Sequence, residues 1–236
     1  MMHQQRLPVD QIRHRGPAWS RMIQSSAIVF ILFCLFACSS SLYSVNVKYE
    51  PSTIVIPVAD SGRKMIVTVA RFNDVRPGGK DLKIGNVTTA LGGLSTVLPK
   101  NLKPEEAVSA ITKDILVKSK YRVSVALPEW NLQEEDINKE WGQIVIGGNI
   151  DALEITCQKD VPIIAYHTRA KLSFVFADVQ NGKIFYRVTT ESTNTLEHIY
   201  FSESMLAQQI SSTLSEAAEK AFEGSILKEK IREVLK

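Results

Sequence analysis

The sequence is poor in the side chains that carry covalent and metal chemistry. Its 236 residues include three cysteines and four histidines, and no Cys-x-x-Cys or His-x-x-x-His spacing brings any of them together. A phosphate-binding loop ending in Gly-Lys-Ser or Gly-Lys-Thr is also missing. We therefore predict no metal site, no cofactor and no catalytic residue, and we expect a protein that is not an enzyme.

The sequence also lacks an excess of charge of one sign outside its first residues. It has 28 basic and 25 acidic residues, and residues 1–37 hold four of the basic residues and one of the acidic ones. The remainder therefore has no net charge. Because a nucleic-acid-binding face needs clustered Lys and Arg side chains, we predict no nucleic-acid partner.

No apolar run is long enough to be read as a membrane-spanning helix, which needs about 20 residues. The run Ala27–Ala37 has 11 apolar residues; it follows three arginines, at positions 13, 15 and 21, and it precedes Ser39–Ser41. This order of a basic region, a short apolar run and small polar residues is typical of a signal peptide. We predict that residues 1–37 are one.

The end of this run, Leu35-Phe36-Ala37-Cys38, resembles the lipobox of bacterial lipoproteins. That resemblance implies that the Cys38 sulfur receives a diacylglyceryl group and that Cys38 becomes the first mature residue. Residues 38–63 are then a lipidated N-terminus and tether, and Ser39 implies sorting to the periplasmic face of the outer membrane. An ordinary secreted protein, or one with a short membrane anchor, remains the alternative.

Residues 64–236 are predicted to form a single α+β domain. Helices are expected from about residue 102 to 120, where Pro104 suits the first helical position, and from about Ser202 to Phe222, with a short amphipathic helix after Gly224. Strands are expected at 64–72, 121–127 and 143–157, and residues 84–98 stay unassigned. We predict a mainly antiparallel sheet with two principal helices packed on one face.

A long hairpin is the clearest local pattern. Asn181-Gly182 separates two alternating runs, 167–179 and 184–196, and this pair suits a two-residue type I′ turn. With that turn, Leu172, Phe174, Phe176 and Phe185 share one face with Arg187 and Thr189, and an apolar row formed by Val175, Ala177, Val179, Ile184, Tyr186 and Val188 lies on the other. Because both faces are apolar, something must cover each of them.

The face with Leu172, Phe174, Phe176 and Phe185 is the candidate partner-binding site. Exposed apolar patches on monomers commonly mark interaction sites, so these side chains would bind an envelope protein or an acyl chain. The alternative is that the tether or residues 84–98 fold over them.

Four smaller features have both a functional and a structural interpretation. Asp74 and Arg76 form either a binding pair or a loop with an Asx turn. Trp130 and Trp141 are either partner anchors or core residues. Cys157 is expected to be a buried thiol in a strand rather than a nucleophile, and Gly147-Gly148, which lacks the spacing of a phosphate-binding loop, marks a bulge or a close backbone contact.

Taken together, the lipobox, the helix before Tyr121, the Asn-Gly hairpin and the final helix resemble small outer-membrane lipoproteins of the YajG type. The segment Phe72-Asn73-Asp74-Val75-Arg76 more loosely resembles the first strand of periplasmic accessory domains. The resemblance implies an α+β domain on the periplasmic face of the outer membrane, with no enzymatic activity to transfer. We expect a non-enzymatic accessory or assembly partner of an envelope complex, anchored in the membrane by lipid. The alternative is a periplasmic binding module that carries a lipid or an envelope glycan.

Overall fold

The structure, a computed structural model, describes residues 41–52, 65–78 and 82–234. The predicted signal peptide, Cys38 and residues 53–63 of the predicted tether lie outside these residues. The described part contains nine strands: β1 (Leu42–Val45), β2 (Ile66–Val69), β3 (Asn73–Asp74), β4 (Gly85–Thr89), β5 (Leu94–Pro99), β6 (Arg122–Val123), β7 (Ile144–Lys159), β8 (Ile164–Asp178) and β9 (Lys183–His198). Its three helices are α1 (Pro104–Lys118), α2 (Glu203–Glu223) and α3 (Ser225–Val234). None of these helices is long and apolar enough to cross a bilayer.

Both predicted long helices are confirmed, and their ends follow from local chemistry. Helix α1 begins at Pro104, and the Glu106 carboxylate accepts a hydrogen bond from the backbone N–H of Lys103 (3.4 Å). Helix α2 is capped by Ser202, whose hydroxyl accepts from the backbone N–H of Met205 (3.1 Å). These contacts satisfy N–H groups that lack a partner within the first turn of a helix.

The sheet is mixed, which corrects the prediction of a mainly antiparallel one. The long strand β7 pairs in parallel with β2, β3 and β4 and antiparallel with β8. Strand β1 adds in parallel to β5, and β6 adds in parallel to β2. Only β4–β5, β7–β8 and β8–β9 are antiparallel among the described strands. The prediction failed because local turn patterns reveal hairpins, whereas parallel partners lie far apart in sequence.

The predicted hairpin is present, but its turn and register differ from the prediction. Asp178 pairs with Lys183, so the loop has four residues, and Gly182 has a positive φ (64°) while Asn181 does not. The Asp178 carboxylate accepts from the backbone N–H groups of Gln180 (2.9 Å) and Asn181 (3.1 Å). This side-chain turn replaces the expected type I′ geometry.

A β-bulge next to the loop changes which residues share a face. Phe176 lies opposite Tyr186 whereas Ala177 lies opposite Ile184, so Phe185 is the extra residue. Beyond the bulge, Tyr186 and Val188 therefore lie on the side of Phe176, where the sequence had placed Arg187 and Thr189. The side-chain period of two makes every later position on β9 change face.

Two apolar cores lie on opposite faces of the sheet. The main core holds residues of all three helices, not of two, together with Leu172, Phe174 and Phe176 of β8. The small core contains the side chains of Ala70, Trp130, Leu132, Ile137, Val145, Val175, Ala177 and Val179. Near its loop, the hairpin is thus covered on both faces, as the apolar residues 172–179 required.

The pair Gly147-Gly148 in β7 lets one aromatic ring approach the sheet from each face. A Cβ atom at Gly147 would lie 2.8 Å from the ring of Trp130, and one at Gly148 would lie 2.5 Å from the ring of Phe72 and 2.1 Å from the Ser173 carbonyl oxygen. The predicted close contact is therefore confirmed. The register shift in β7 lies further along, between Ile150 and Ala152.

Candidate functional site

The predicted partner-binding face is part of the main core. Leu172, Phe174 and Phe176 are fully buried. The ring of Phe222, on α2, meets Phe174 and Phe176 edge-on, with centroids 5.9 and 5.8 Å away. Phe185 is partly buried and its centroid lies 6.4 Å from that of Phe176.

This burial corrects the docking hypothesis. The covering element is α2, rather than the tether or residues 84–98, because the stripe of apolar residues along α2 faces β8 and β9. A partner cannot reach Leu172, Phe174 or Phe176 without displacing that helix. These side chains stabilise the fold instead.

Asp74 and Arg76 form an internal ion pair. The Arg76 guanidinium donates from Nε to Asp74 Oδ1 (2.8 Å) and from Nη2 to Asp74 Oδ2 (2.6 Å), and its Nη1 donates to the Leu153 carbonyl in β7 (2.9 Å). Both side chains are less than a tenth exposed. The pair fixes the loop after β3 to β7, so the structural interpretation applies.

The tryptophans and the cysteine also have structural roles. Trp130 is buried in the small core and donates from Nε1 to the Gln133 carbonyl (2.8 Å), and Trp141 packs against the same core. Cys157 is buried in β7, as predicted, and burial raises the pKa of its thiol to about 11. A protonated, buried thiol is a poor nucleophile at neutral pH.

One open cleft in the described residues, of about 900 Å³, is larger than a second of about 500 Å³ and lies between the ends of β2 and β3 and the start of α1. Its lining is mostly polar, with charges of both signs: Arg71, Phe72, Asn73, Asp74, Leu82, Lys103, Glu105, Glu129, Trp130, Asn131 and Asp136. Arg71 is 3.3 Å from Glu129 and 3.7 Å from Glu106. Arg71 thus pairs with two acidic neighbours, and no group of three potential metal ligands occurs in the described residues.

The feature that bears most on function is the N-terminal segment, residues 41–52. After β1, the chain runs along α2, and alternate backbone N–H groups bond to side chains on that helix. The N–H of Lys48 donates to Ser211 Oγ (3.2 Å), that of Glu50 to Ser215 Oγ (2.9 Å), and that of Ser52 to the carboxylate of Glu219 (3.3 Å).

The regularity of these bonds follows from two repeats that nearly coincide. Two residues of extended chain advance about 6.6 Å, and four residues of an α-helix advance about 6 Å. Every second N–H therefore meets every fourth helical side chain. Ser211, Ser215 and Glu219 are all fully buried, and buried polar groups are costly without such partners.

Glu219 receives the largest number of these contacts. Besides the Ser52 backbone, the hydroxyls of Tyr49 and Ser52 donate to its carboxylate. Burial and the neighbouring Glu219 carboxylate raise the pKa of Tyr49, and Lys118 Nζ lies 4.1 Å from the centroid of the Tyr49 ring. The segment is therefore joined to α2 by hydrogen bonds and to α1 by a cation–π contact.

The segment brings the start of the fold close to the predicted lipidation site. The Ser41 hydroxyl is hydrogen-bonded to that of Ser95, and β1 begins at Leu42. Cys38 is three residues before Ser41, so their Cα atoms are at most about 11 Å apart. Within the predicted tether, residues 41–52 thus belong to the fold.

Comparison with known proteins finds likeness in structure rather than in sequence. No family model and no curated protein matches the chain. Protein XCC0632 from Xanthomonas campestris, of family DUF330, has a similar structure, with a TM-score of 0.51 and 8% sequence identity over 82% of this chain and 99% of that one.

Two further structures show a weaker likeness. One is the lipoprotein GNA1162 from Neisseria meningitidis, with a TM-score of 0.36 and 11% identity over 66% of this chain and 99% of that one. The other is a homologue of a neuraminyllactose-binding hemagglutinin from Helicobacter pylori, with a TM-score of 0.43 and 10% identity over 81% of this chain and 97% of that one. The resemblance to the YajG type stays a prediction. What the comparisons establish is that the chain shares its fold with the Xanthomonas protein.

Proposed function

We propose that the protein is a lipoprotein anchored through Cys38 at the periplasmic face of the outer membrane, where it acts as a non-enzymatic accessory or assembly partner of an envelope complex. One observation carries the proposal: Ser41, three residues after the Cys38 that ends the lipobox-like segment, is already hydrogen-bonded to Ser95 within the fold. A domain attached at this point stays close to the membrane surface.

The anchor proposed at Cys38 is strong enough for permanent attachment. A single myristoyl chain gives marginal, reversible binding, and each buried methylene contributes about 0.8 kcal/mol. Two or three acyl chains on one cysteine therefore hold a protein at the membrane throughout its life. Such an anchor suits a protein whose role depends on its staying at the membrane.

The accessory role is supported by how the domain uses its reactive side chains. Arg76 and Asp74 bind each other, the Cys157 thiol is buried, and Arg71 at the larger cleft pairs with Glu129 and Glu106. The domain would thus act through its surface. Carriage of a lipid or glycan, the alternative role, calls for an apolar pocket or an exposed aromatic cleft, whereas Trp130, at the wall of the larger cleft, is 3% exposed.

The anchor is tested by growing Gram-negative cells that express the full chain with an alkyne analogue of palmitate, followed by intact-mass spectrometry of the purified product. We expect the wild type to carry the label on Cys38, and Cys38→Ser to remain unlabelled. Cys34→Ser is the matched control, because it changes a cysteine four residues away and should be labelled normally. Labelling that persists in Cys38→Ser would disprove the proposal.

Location and role need two further measurements. Membrane fractionation should place the wild type in the outer membrane and Ser39→Asp in the inner membrane, since an acidic residue after the lipidated cysteine changes sorting. Mild detergent extraction of native membranes, followed by mass analysis of intact complexes, then separates the two roles. A stoichiometric protein partner supports the accessory role, and a bound lipid or glycan without a protein supports the carrier.

A further inference from the structure

Six strand ends meet at one end of the sheet, which we call the anchor end. The register places Thr88 opposite Leu94, Lys159 opposite both Thr89 and Ile164, and Ile164 opposite His198. Strand β1 starts at the same end, because it runs parallel to β5 with Leu42 opposite Thr96. The anchor end thus comprises the β4–β5 turn, the β7–β8 turn, the residues after β9 and the start of β1.

Side-chain contacts join these parts into one surface. The ring of Phe201, after β9, has its centroid 5.0 Å from that of Tyr43 in β1 and 6.5 Å from that of Tyr166 in β8. Lys159 Nζ, at the end of β7, lies 4.1 Å from the centroid of the same ring. The N-terminal segment therefore enters the fold here, with Ser41 only three residues after the predicted lipidation site in the sequence.

The anchor end concentrates the exposed apolar side chains of the domain. Seven large apolar side chains are at least 60% exposed in the described residues, and six of them lie here: Leu42, Leu91, Leu94, Val161, Ile199 and Tyr200. Of these six, the most exposed are Leu91 at the tip of the β4–β5 turn (99%) and Val161 in the β7–β8 turn (90%). The seventh, Val125, follows β6, whose partner β2 pairs with the opposite half of β7.

The β4–β5 turn does not need its exposed leucines for its conformation. In Ala90-Leu91-Gly92-Gly93-Leu94 the glycines form the turn, since Gly92 has a φ of +81°. Polar residues normally fill the other positions of a solvated turn. The turn nevertheless has no charged residue, nor does Ile199-Tyr200-Phe201 after β9.

We propose that the anchor end inserts into the surface of the bilayer that holds the acyl chains of Cys38, with Leu91 and Val161 entering the boundary between headgroups and acyl chains. This inference rests on the proposed acylation of Cys38. The choice of the bilayer as the partner of the anchor end follows from the short length of chain between Cys38 and Ser41, whose Cα atoms are within about 11 Å of each other. Apolar groups at a membrane interface enter it to a similar depth, about 5–10 Å. Tyr200 suits this depth, because tyrosine combines an apolar ring with a polar hydroxyl.

The test uses the full, processed chain in vesicles of phosphatidylethanolamine and phosphatidylglycerol. Leu91→Cys is labelled with an environment-sensitive fluorophore, and Val125→Cys, similarly exposed but remote, is the matched control. The native Cys157 is buried and should not react. We expect iodide in the buffer to quench Leu91→Cys several-fold less than Val125→Cys, and nitroxide-labelled lipid to quench Leu91→Cys more strongly.

The outcomes separate this inference from the proposed function. Acylated protein in which iodide quenches both positions equally overturns the inference and leaves the anchor intact. Shielding from iodide without quenching by nitroxide lipid also overturns it, because a second copy of the protein then covers Leu91. Protein whose intact mass shows no acyl group refutes both. Thermal unfolding of the two variants should match the wild type, as both side chains are exposed.

Discussion

The β8 side chains Leu172, Phe174 and Phe176 and the anchor-end side chains Leu91, Val161 and Ile199 are all apolar, yet the first three are fully buried and the last three are 78–99% exposed. The two regions differ in secondary structure. The buried side chains alternate along a strand, where a regular face invites a covering helix. The exposed ones lie in connections, which no element covers because a connection presents no continuous face.

This difference changes where an interaction surface should be sought in such a domain. An apolar strand face is evidence for a core, and here α2 completes it. Apolar side chains in turns contradict the local preference for polar residues, and such conflicts are expected at functional positions. The four predictions that follow test this contrast.

The largest effect is expected from truncating the buried region. Phe174→Ala should lower the free energy of unfolding by about 3–5 kcal/mol, because it removes a ring that contacts Phe72 and Phe222 and leaves a cavity. Leu91→Ala should change it by less than about 0.5 kcal/mol. Urea unfolding followed by tryptophan fluorescence measures both. Equal losses of unfolding free energy at Phe174 and Leu91 would contradict the contrast between the buried strand face and the exposed turns.

Added volume at Gly148, in the strand that pairs with β8, should lower the free energy of unfolding by nearly as much. Gly148→Ala is expected to cost about 1–3 kcal/mol through overpacking, because its Cβ would lie 2.1 Å from the backbone oxygen of Ser173. Gly224→Ala is the matched control, since its Cβ would meet only the Tyr186 hydroxyl, at 3.6 Å. Thermal melts of the two variants should differ, and a wild-type melt for Gly148→Ala would contradict the structure.

The N-terminal segment links the two regions, because it starts at the anchor end and runs over α2. Glu219→Gln should cost about 1 kcal/mol by weakening the bonds from Tyr49 and Ser52 to a buried carboxylate. Hydrogen exchange at residues 48–52 should become faster while exchange in β8 stays slow. Glu216→Gln, which alters an ion pair with Lys220 on the same helix, should leave residues 48–52 protected. Unchanged protection of residues 48–52 from hydrogen exchange in Glu219→Gln would show that other contacts hold the segment on α2.

The smallest effect is a pH dependence. The pKa of Tyr49 is raised by burial and by Glu219 above its ordinary value of 10.0. The neutral phenol is therefore favoured in the folded state, so its contribution is complete below pH 10 and is lost as the pH rises above that value. Burial also raises the pKa of Tyr166, so the absorbance of tyrosinate should show a late component to which both tyrosines contribute. In Tyr49→Phe this late component should become smaller; an unchanged late component would contradict the assignment to Tyr49.

Several parts of this fold were predictable because their causes are local. Pro104 and the acidic residues after it mark the start of α1, and Ser202 marks the start of α2. The Asn181-Gly182 pair correctly indicated a hairpin, although Asp178 changed the type of turn. Strand β6 is shorter than the predicted 121–127, since pairing ends at Val123.

The anchor end was not predicted as a candidate surface, although the sequence contains a signal for it. Leucines beside Gly92-Gly93 and an uncharged Ile199-Tyr200-Phe201 depart from ordinary turn composition. Nothing in the sequence, however, places these two segments at the same end of the sheet. Their placement there depends on β7 pairing with both β4 and β8, and more than 70 residues separate β4 from β8.

The sequence by itself determined the ends of the long helices, the existence of the hairpin and the presence of an apolar row on each face of β8, because capping, turn formation and side-chain periodicity act over a few residues. Only the tertiary structure decided that α2 buries Phe174, that a bulge at Phe185 exchanges the faces of β9, and that residues 41–52 follow α2 from the anchor end. These features depend on pairings between distant segments. Such pairings form where buried area and hydrogen bonds outweigh the entropy of closing long loops, and that balance is a property of the whole chain.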